Sequence, residues 1–352
     1  MSGLYERSRA FARMSQSSML ILALLLALLW YWAPSGMMDP GEEALWRRIR
    51  AGQGMLAAWR DRSGIREAHP DFDFDRTDPH RTGLIGVEWS PVTTTLGPLE
   101  AKRTAADPLW GVWALRQFRR SGLVPGDSVV LLASSSFPGL VFSLVAAAER
   151  YGLDLFWIQS LGSSTWGANM PEMPWPAMGR LLREGGFISS RPDYYTLGGG
   201  SELGRDMSPE GLDLLTSAAA ADGVPLLRGL DLDDMIRMKS ELALSRRPVL
   251  AMVVGGSHTT FGPGEVVPPG GGLYSEADLD ADGFGSGVFR NLLASGVPVL
   301  HFLDLRSLAL RSGIPYDGAP RPRFSGGLRA SAVGLLLFAL YLGWFSRWRR
   351  DE

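Results

Sequence analysis

Short apolar runs bounded by turn residues dominate the middle of the chain. Four of them, at 128–133, 153–158, 248–255 and 297–303, are apolar on both faces, which is typical of strands in a covered parallel sheet. An apolar, alanine-rich segment at 140–151 follows the first run and predicts a helix. Because a strand, a helix and a strand follow one another within about thirty residues, we expect a right-handed βαβ unit here.

Helical periodicity fills most of the remaining central region. The pattern predicts further helices at 108–119, 175–184, 209–221 and 232–244. Alternating strands and helices are characteristic of α/β domains. We therefore predict an α/β domain at 83–325, with a Rossmann-like, open and mostly parallel sheet.

The segment 34–82 precedes this domain and is predicted to be an amphipathic helix followed by a linker. Apolar residues recur at helical spacing within 40–59, and Gly52 and Gly54 are candidate breaks in that helix. The acidic run at 71–81 predicts a solvated loop or an edge strand. The alternative, a calcium loop, lacks the glycine and the distant glutamate of an EF-hand.

The two ends of the chain carry long apolar segments, which are uncharged at 19–33 and 330–345. Both, at 17–33 and 328–346, are close to the minimum of about 17 residues that a bilayer span requires, and both have tryptophan and tyrosine at one end. We predict two transmembrane helices, with the lipid bilayer as a partner. The alternatives are a cleaved signal peptide for the first segment, which lacks an A-x-A site, and a buried core helix for the second.

Charge indicates the orientation of these predicted helices. The tails 1–16 and 347–352 carry net charges of +2 and +1, and the whole chain carries −2, so the residues between the tails carry −5. Short basic tails stay in the cytoplasm, and with two spans the central domain then lies on the other side. The predicted localisation is the cytoplasmic membrane, with two passes and an extracytoplasmic main domain.

Composition excludes several kinds of site. The 352 residues contain no cysteine, which excludes disulfides, iron–sulfur clusters and thiolate zinc sites, and only four histidines, which disfavours a histidine-rich metal site. Near-neutral charge argues against nucleic acid as a partner. Neither a P-loop nor a G-x-G-x-x-G run after a strand occurs. We predict no cofactor and no metal ion.

Small polar residues follow the predicted strands, at the edge where open α/β sheets bind their ligands. Hydroxyls before a helix suit an anion, although a serine there is also the ordinary helix cap. An upstream run at 88–104 adds threonines and two cations, unless it is merely an extended segment leading into the next helix. The candidate ligand-binding residues are Thr93, Thr94, Thr95, Lys102, Arg103, Ser135, Ser136, Ser164, Thr165, Asn169, Ser257 and His258.

Four uncommon runs occur in order along the chain: SPVTTTLGPLEAKRT at 90–104, SSSFPG at 134–139, SSTWGAN at 163–169 and LGGGSELGR at 197–205. Together they resemble the poly-γ-glutamate system protein family, which occurs alongside the ligase and membrane components of bacterial poly-γ-glutamate synthesis and export. The partners that we expect are other subunits of that pathway and the anionic polymer. The resemblance itself implies a pathway and a membrane location. It implies no reaction.

We therefore expect a membrane-anchored accessory component that binds or guides poly-γ-glutamate or its partner subunits during synthesis or export. One alternative is an extracytoplasmic serine hydrolase that trims or releases the polymer. Its candidate catalytic residues are Ser134, Ser135 or Ser136 as nucleophile, His258 as base and Asp304 as orienting acid, although no G-x-S-x-G elbow is present. The other alternative is a purely structural membrane scaffold.

Overall fold

The computed structural model describes residues 21, 22, 24, 25, 38–264, 270–279, 284–323, 334 and 336–341. The chain divides into one compact unit at Asp39–Pro322 and a second unit formed by the two ends. Most of the predicted transmembrane segments 17–33 and 328–346, and both tails, lie outside the described residues. In the described part of the chain, no helix is long and apolar enough to cross a membrane.

The described residues form eight strands in two sheets. They are β1 (Thr93–Thr95), β2 (Ser128–Ser134), β3 (Asp154–Ser160), β4 (Ser163–Ser164), β5 (Tyr194–Thr196), β6 (Leu250–Val254), β7 (Gly272–Tyr274) and β8 (Val299–Phe302). β1 and β4 pair in parallel, and the other six strands lie in the order β5-β3-β2-β6-β8-β7. Only β7 runs antiparallel to its neighbour in this described sheet. The prediction of an α/β fold with a mostly parallel sheet is confirmed.

Helices connect most of these strands. They are α1 (Pro40–Arg60), α2 (Ile65–Ala68), α3 (Phe74–Thr77), α4 (Leu99–Ala105), α5 (Leu109–Arg120), α6 (Pro138–Tyr151), α7 (Trp175–Glu184), α8 (Pro209–Asp222), α9 (Leu232–Ser245), α10 (His258–Phe261), α11 (Val288–Ala294) and α12 (Leu305–Ser312). The predicted βαβ unit is β2-α6-β3, and α6 ends at Gly152, whose φ of 82° is the left-handed conformation that glycine adopts without strain. Apolar residues of the parallel strands and the surrounding helices form the core.

α1 belongs to the same compact unit as the sheet, rather than to a separate linker segment. Its apolar face, including Leu45, Ile49 and Leu56, is fully buried. The helix continues through Gly52 without the predicted break. A Cβ at this position would come within 2.6 Å of the Phe142 ring, so the glycine lets α1 approach α6 closely. The apolar face and the small residue together explain why this segment packs into the core.

The acidic run at 71–81 forms a loop that contains the short helix α3, and no edge strand. The carboxylate of Asp73 accepts a hydrogen bond from the backbone N–H of Arg76, so it caps α3. Asp75 forms an ion pair with Arg66 at 2.8 Å. These carboxylates therefore already have partners within the fold.

The strand order creates one distinctive crevice. From β2 the chain proceeds to β3 and β5 on one side of the sheet, and to β6 and β8 on the other. The direction of winding thus reverses between β2 and β6, an arrangement consistent with a Rossmann-like sheet. Ligands of such sheets bind outside the carboxyl ends of the two strands at this switch point.

Candidate functional site

A cavity of about 410 Å³ lies at the switch point. Its walls are the loops that follow β2 and β6, the segment from β1 into α4, and parts of the loops after β3 and β5. The hydroxyl-bearing residues that line it are Thr94, Thr95, Ser134, Ser136, Ser160, Ser164 and Ser257. The sheet edge therefore brings hydroxyls from distant parts of the sequence into one polar site.

The serines after β2 organise this wall instead of capping α6. The residue before the first helical residue is Phe137, and no side chain caps the helix. The Ser136 hydroxyl accepts hydrogen bonds from Ser134 Oγ at 3.0 Å and from the backbone N–H of Ser164 at 2.9 Å. This serine consequently joins the end of β2 to β4.

Lys102 on α4 is the one lysine or arginine among the described residues that line the cavity. It is only 3% exposed. Its Nζ donates to the carbonyl oxygen of Ser136 and to Ser164 Oγ, both at 2.6 Å, and lies 3.8 Å from the centre of the Phe137 ring. No carboxylate of the described residues forms an ion pair with it, so its charge has no countercharge among them.

Burial changes the pKa of this lysine. Desolvation penalises the ammonium form and lowers the pKa of Lys102 from 10.5 to about 7. The other titratable residues among the described lining residues are Asp206 and His258. His258 Nδ1 accepts a hydrogen bond from the backbone N–H of Ser201 at 3.2 Å.

Lys239 provides an internal contrast, because the chain has only these two lysines. Lys239 is also buried, but its Nζ lies 2.9 Å from both carboxylate oxygens of Glu202 and 3.1 Å from Thr259 Oγ1. Burial opposes ionisation of Glu202, but the Lys239 ammonium outweighs it and the pKa of Glu202 is lowered. This pair joins α9 to loops beside the cavity, and its role is structural.

Arg103 was expected to accompany Lys102 in the site but lies elsewhere. Its guanidinium donates to the carbonyl oxygens of Thr77 at 2.9 Å and Arg76 at 2.6 Å, and forms an ion pair with Asp317 at 3.4 Å. Successive residues of a helix point in different directions, so Lys102 and Arg103 do not share a face. Arg103 tethers the loop at α3 and does not line the cavity.

Four other candidates serve the framework around the cavity. The Asn169 side chain accepts a hydrogen bond from the backbone N–H of Val87 and donates to the carbonyl oxygen of the same residue. It also donates to Thr93 Oγ1 at 3.0 Å. Thr165 Oγ1 accepts from the N–H of Gly97 at 2.8 Å and donates to its carbonyl at 2.9 Å. Ser135 Oγ donates to a β3 carbonyl at 2.6 Å. These side chains position the cavity walls.

The Ser–His–Asp arrangement of the hydrolase alternative is not assembled. Asp304 accepts a hydrogen bond from the backbone N–H of Ser307 at 3.1 Å and caps α12, outside the cavity lining. His258 lines the cavity, but its described hydrogen bond is to the Ser201 backbone. A base and its orienting acid need direct contact, and these two residues have separate partners.

Sequence reasoning missed the Lys102–Ser164 contact and the lining residues Ser160 and Asp206. One signal was present: a chain with 35 lysines and arginines places lysine at only two positions, both of which the fold buries. Lysine is the basic residue whose pKa shifts readily on burial. A rare lysine in an arginine-rich chain was therefore a pointer to the site.

No family model, no curated protein and no solved structure matches the chain. The resemblance to the poly-γ-glutamate system family accordingly rests on the four sequence runs alone. The chemistry of the site rests on the cavity and its residues.

Proposed function

We propose that the compact unit at Asp39–Pro322, the central unit, binds a carboxylate-bearing ligand in the switch-point cavity. The protein would thereby act as an accessory component of poly-γ-glutamate synthesis or export. Lys102 is the single observation that carries the proposal. An ammonium has three donors, and Ser136 and Ser164 use two of them. A carboxylate in the cavity would accept the third and supply the missing countercharge, which a buried cation needs.

The lining suits a γ-glutamyl chain. Each residue of that polymer carries one carboxylate and one amide, and both accept hydrogen bonds from hydroxyls such as those of Ser134 and Ser257. A volume of about 410 Å³ is typical of small-molecule sites. The cavity would therefore hold a chain end or a short segment, with the rest of the polymer outside.

The cellular setting of the proposal comes from the sequence. The family-like runs SSSFPG and SSTWGAN both contribute residues to the cavity. We propose that the apolar segments 17–33 and 328–346 anchor the chain in the cytoplasmic membrane and that the central unit is extracytoplasmic. In this position it would meet the exported polymer and the other subunits of the pathway.

Calorimetric titration of the full-length protein with oligo-γ-glutamate at pH 8 tests the proposal. Binding should take up close to one proton, since most Lys102 side chains are neutral at pH 8 and the bound carboxylate restores the ammonium. Heats measured in buffers of different ionisation enthalpy report this proton. Lys102→Met should weaken binding about 10- to 150-fold, the equivalent of one charge-assisted hydrogen bond.

Arg103→Gln is the matched control, because it removes a neighbouring positive charge that does not line the cavity. It should leave both the affinity and the proton uptake unchanged. Equal loss of binding in both variants would indicate a diffuse charge effect and would contradict a site at Lys102. Absence of salt-sensitive binding in the wild-type protein would favour the scaffold alternative.

A further inference from the structure

We infer that Ser164 and Lys102 form a nucleophile–base pair that performs acyl transfer on an amide or ester in the cavity. The Nζ and Oγ atoms are 2.6 Å apart, within hydrogen-bonding distance, and both residues line the cavity. The inference rests on the proposed function, since the acyl group enters the same site. It differs from the Ser–His–Asp hydrolase given as an alternative in both the nucleophile and the base.

Lys102 has the surroundings that a lysine base requires. No carboxylate of the described residues holds its proton, and burial brings its pKa to about 7, so that about half of the molecules carry a neutral amine at pH 7. Asp206 and His258 share the cavity with it. The other charged residues of α4 are Glu100 and Arg103. The helix α12, which packs on α4, carries Arg306 and Arg311 and is capped by Asp304; none of these residues lines the cavity.

The reaction balances with water as the only co-reactant. Ser164 Oγ bonds to the carbonyl carbon while its proton passes to the neutral amine of Lys102. The C–N bond then breaks, and the Lys102 ammonium returns this proton to the leaving nitrogen. Water next attacks the Ser164 ester, giving one proton to Lys102, which returns it to the departing Oγ. The net products are a carboxylic acid and an amine.

Ser136 supplies a donor for the oxyanion that forms in these steps. Its hydroxyl oxygen accepts from Ser134 and from the Ser164 backbone, so its own hydrogen remains to point into the cavity that it lines. The product carboxylate is the ligand that the proposed function assigns to Lys102. While it stays bound, Lys102 is protonated and the pair is inactive.

A biotinylated fluorophosphonate on the full-length protein tests the pair, because this probe reacts with activated serines. Ser164 Oγ bonds to phosphorus, fluoride leaves, and Lys102 takes the proton. We expect one adduct per chain, located at Ser164 by peptide mass spectrometry, with a rate that rises with pH through about 7. Lys102→Met should slow labelling at least about 100-fold, the lower range for a general base.

Ser143→Ala is the control, since Ser143 is a fully buried serine of α6 outside the cavity lining. It should label like the wild type. Near-ultraviolet circular dichroism checks that the variants fold. Whether Ser164 is the labelled serine is decided by the wild-type protein alone. A wild-type chain without an adduct at Ser164, or with one at another serine, overturns the inference.

The same wild-type protein separates the two proposals. Binding of oligo-γ-glutamate without a Ser164 adduct leaves the proposed function and removes the catalytic pair. A Ser164 adduct without binding of oligo-γ-glutamate keeps the pair and removes the proposed ligand. A wild-type protein that neither binds oligo-γ-glutamate nor forms a Ser164 adduct overturns both proposals.

Discussion

Replacing Lys102 by methionine should change how the stability of the protein depends on pH. The folded state holds this side chain at a pKa of about 7, whereas the unfolded chain has the ordinary value of 10.5. Between these values the unfolded state binds more protons than the folded state, so the free energy of unfolding rises with pH. The rise approaches about 1.4 kcal/mol per pH unit for one group. From pH 7.5 to 9, the wild type should therefore gain about 2 kcal/mol relative to Lys102→Met.

The same lowered pKa of Lys102 sets the difference in stability between the wild type and Lys102→Met below pH 7. Holding the charged form in the fold costs about 5 kcal/mol, from a pKa lowered from 10.5 to about 7. Methionine removes this cost and has a similar length, but it loses two hydrogen bonds, to Ser136 and Ser164, worth about 0.5–1.5 kcal/mol each. We expect Lys102→Met to be more stable than the wild type by about 2 to 4 kcal/mol at pH 6.

Urea denaturation of the full-length proteins at pH 6, 7.5 and 9, followed by tryptophan fluorescence, measures these differences. Arg103→Gln is again the control, because it removes a neighbouring positive charge that does not line the cavity. Parallel pH profiles for the wild type and Lys102→Met would refute the assignment of a lowered pKa. A wild type that loses stability relative to the variant as pH rises would refute its direction.

Two further predictions concern the framework and the location of the protein. Lys239→Met should lower the free energy of unfolding by about 3–5 kcal/mol in the same denaturation assay, because it leaves the Glu202 carboxylate buried and unpaired; an unchanged midpoint would show that the pair is dispensable. A reporter that is active only after export, fused at residue 200, should be active in cells; activity confined to a cytoplasmic reporter at that position would contradict the proposed topology.

The main sheet was predictable because its signal is local. Runs that are apolar on both faces mark buried parallel strands, and β2, β3, β6 and β8 begin and end within two residues of their predicted positions. The serines at their ends were also visible, and the rule that ligands bind at the carboxyl edge placed them near one site. The fold class therefore follows from local patterns: short apolar runs bounded by turn residues, helical periodicity between them, and the alternation of the two.

Other parts of the structure depend on contacts between distant residues. β1 and β4 pair Thr93 with Ser163, and Lys102 reaches Ser164 across 62 positions of sequence. Neither pairing has a local pattern, since two or three residues carry no measurable period. The misplacement of Arg103 has a local origin: the run at 88–104 was not predicted to be helical at 99–105, and neighbours in sequence diverge by about 100° around a helix.

The identity of residue 102 separates binding from catalysis. A site that only holds a carboxylate is served better by arginine, which forms two parallel hydrogen bonds and keeps its charge when buried. This chain uses arginine for 33 of its 35 lysine and arginine positions, and its second lysine is accounted for by Glu202. Lysine at position 102 cannot make the bidentate contact of arginine, but it can lose its proton near neutral pH. This property favours a role in which Lys102 takes a proton from Ser164, and the bound carboxylate is then the product of the reaction.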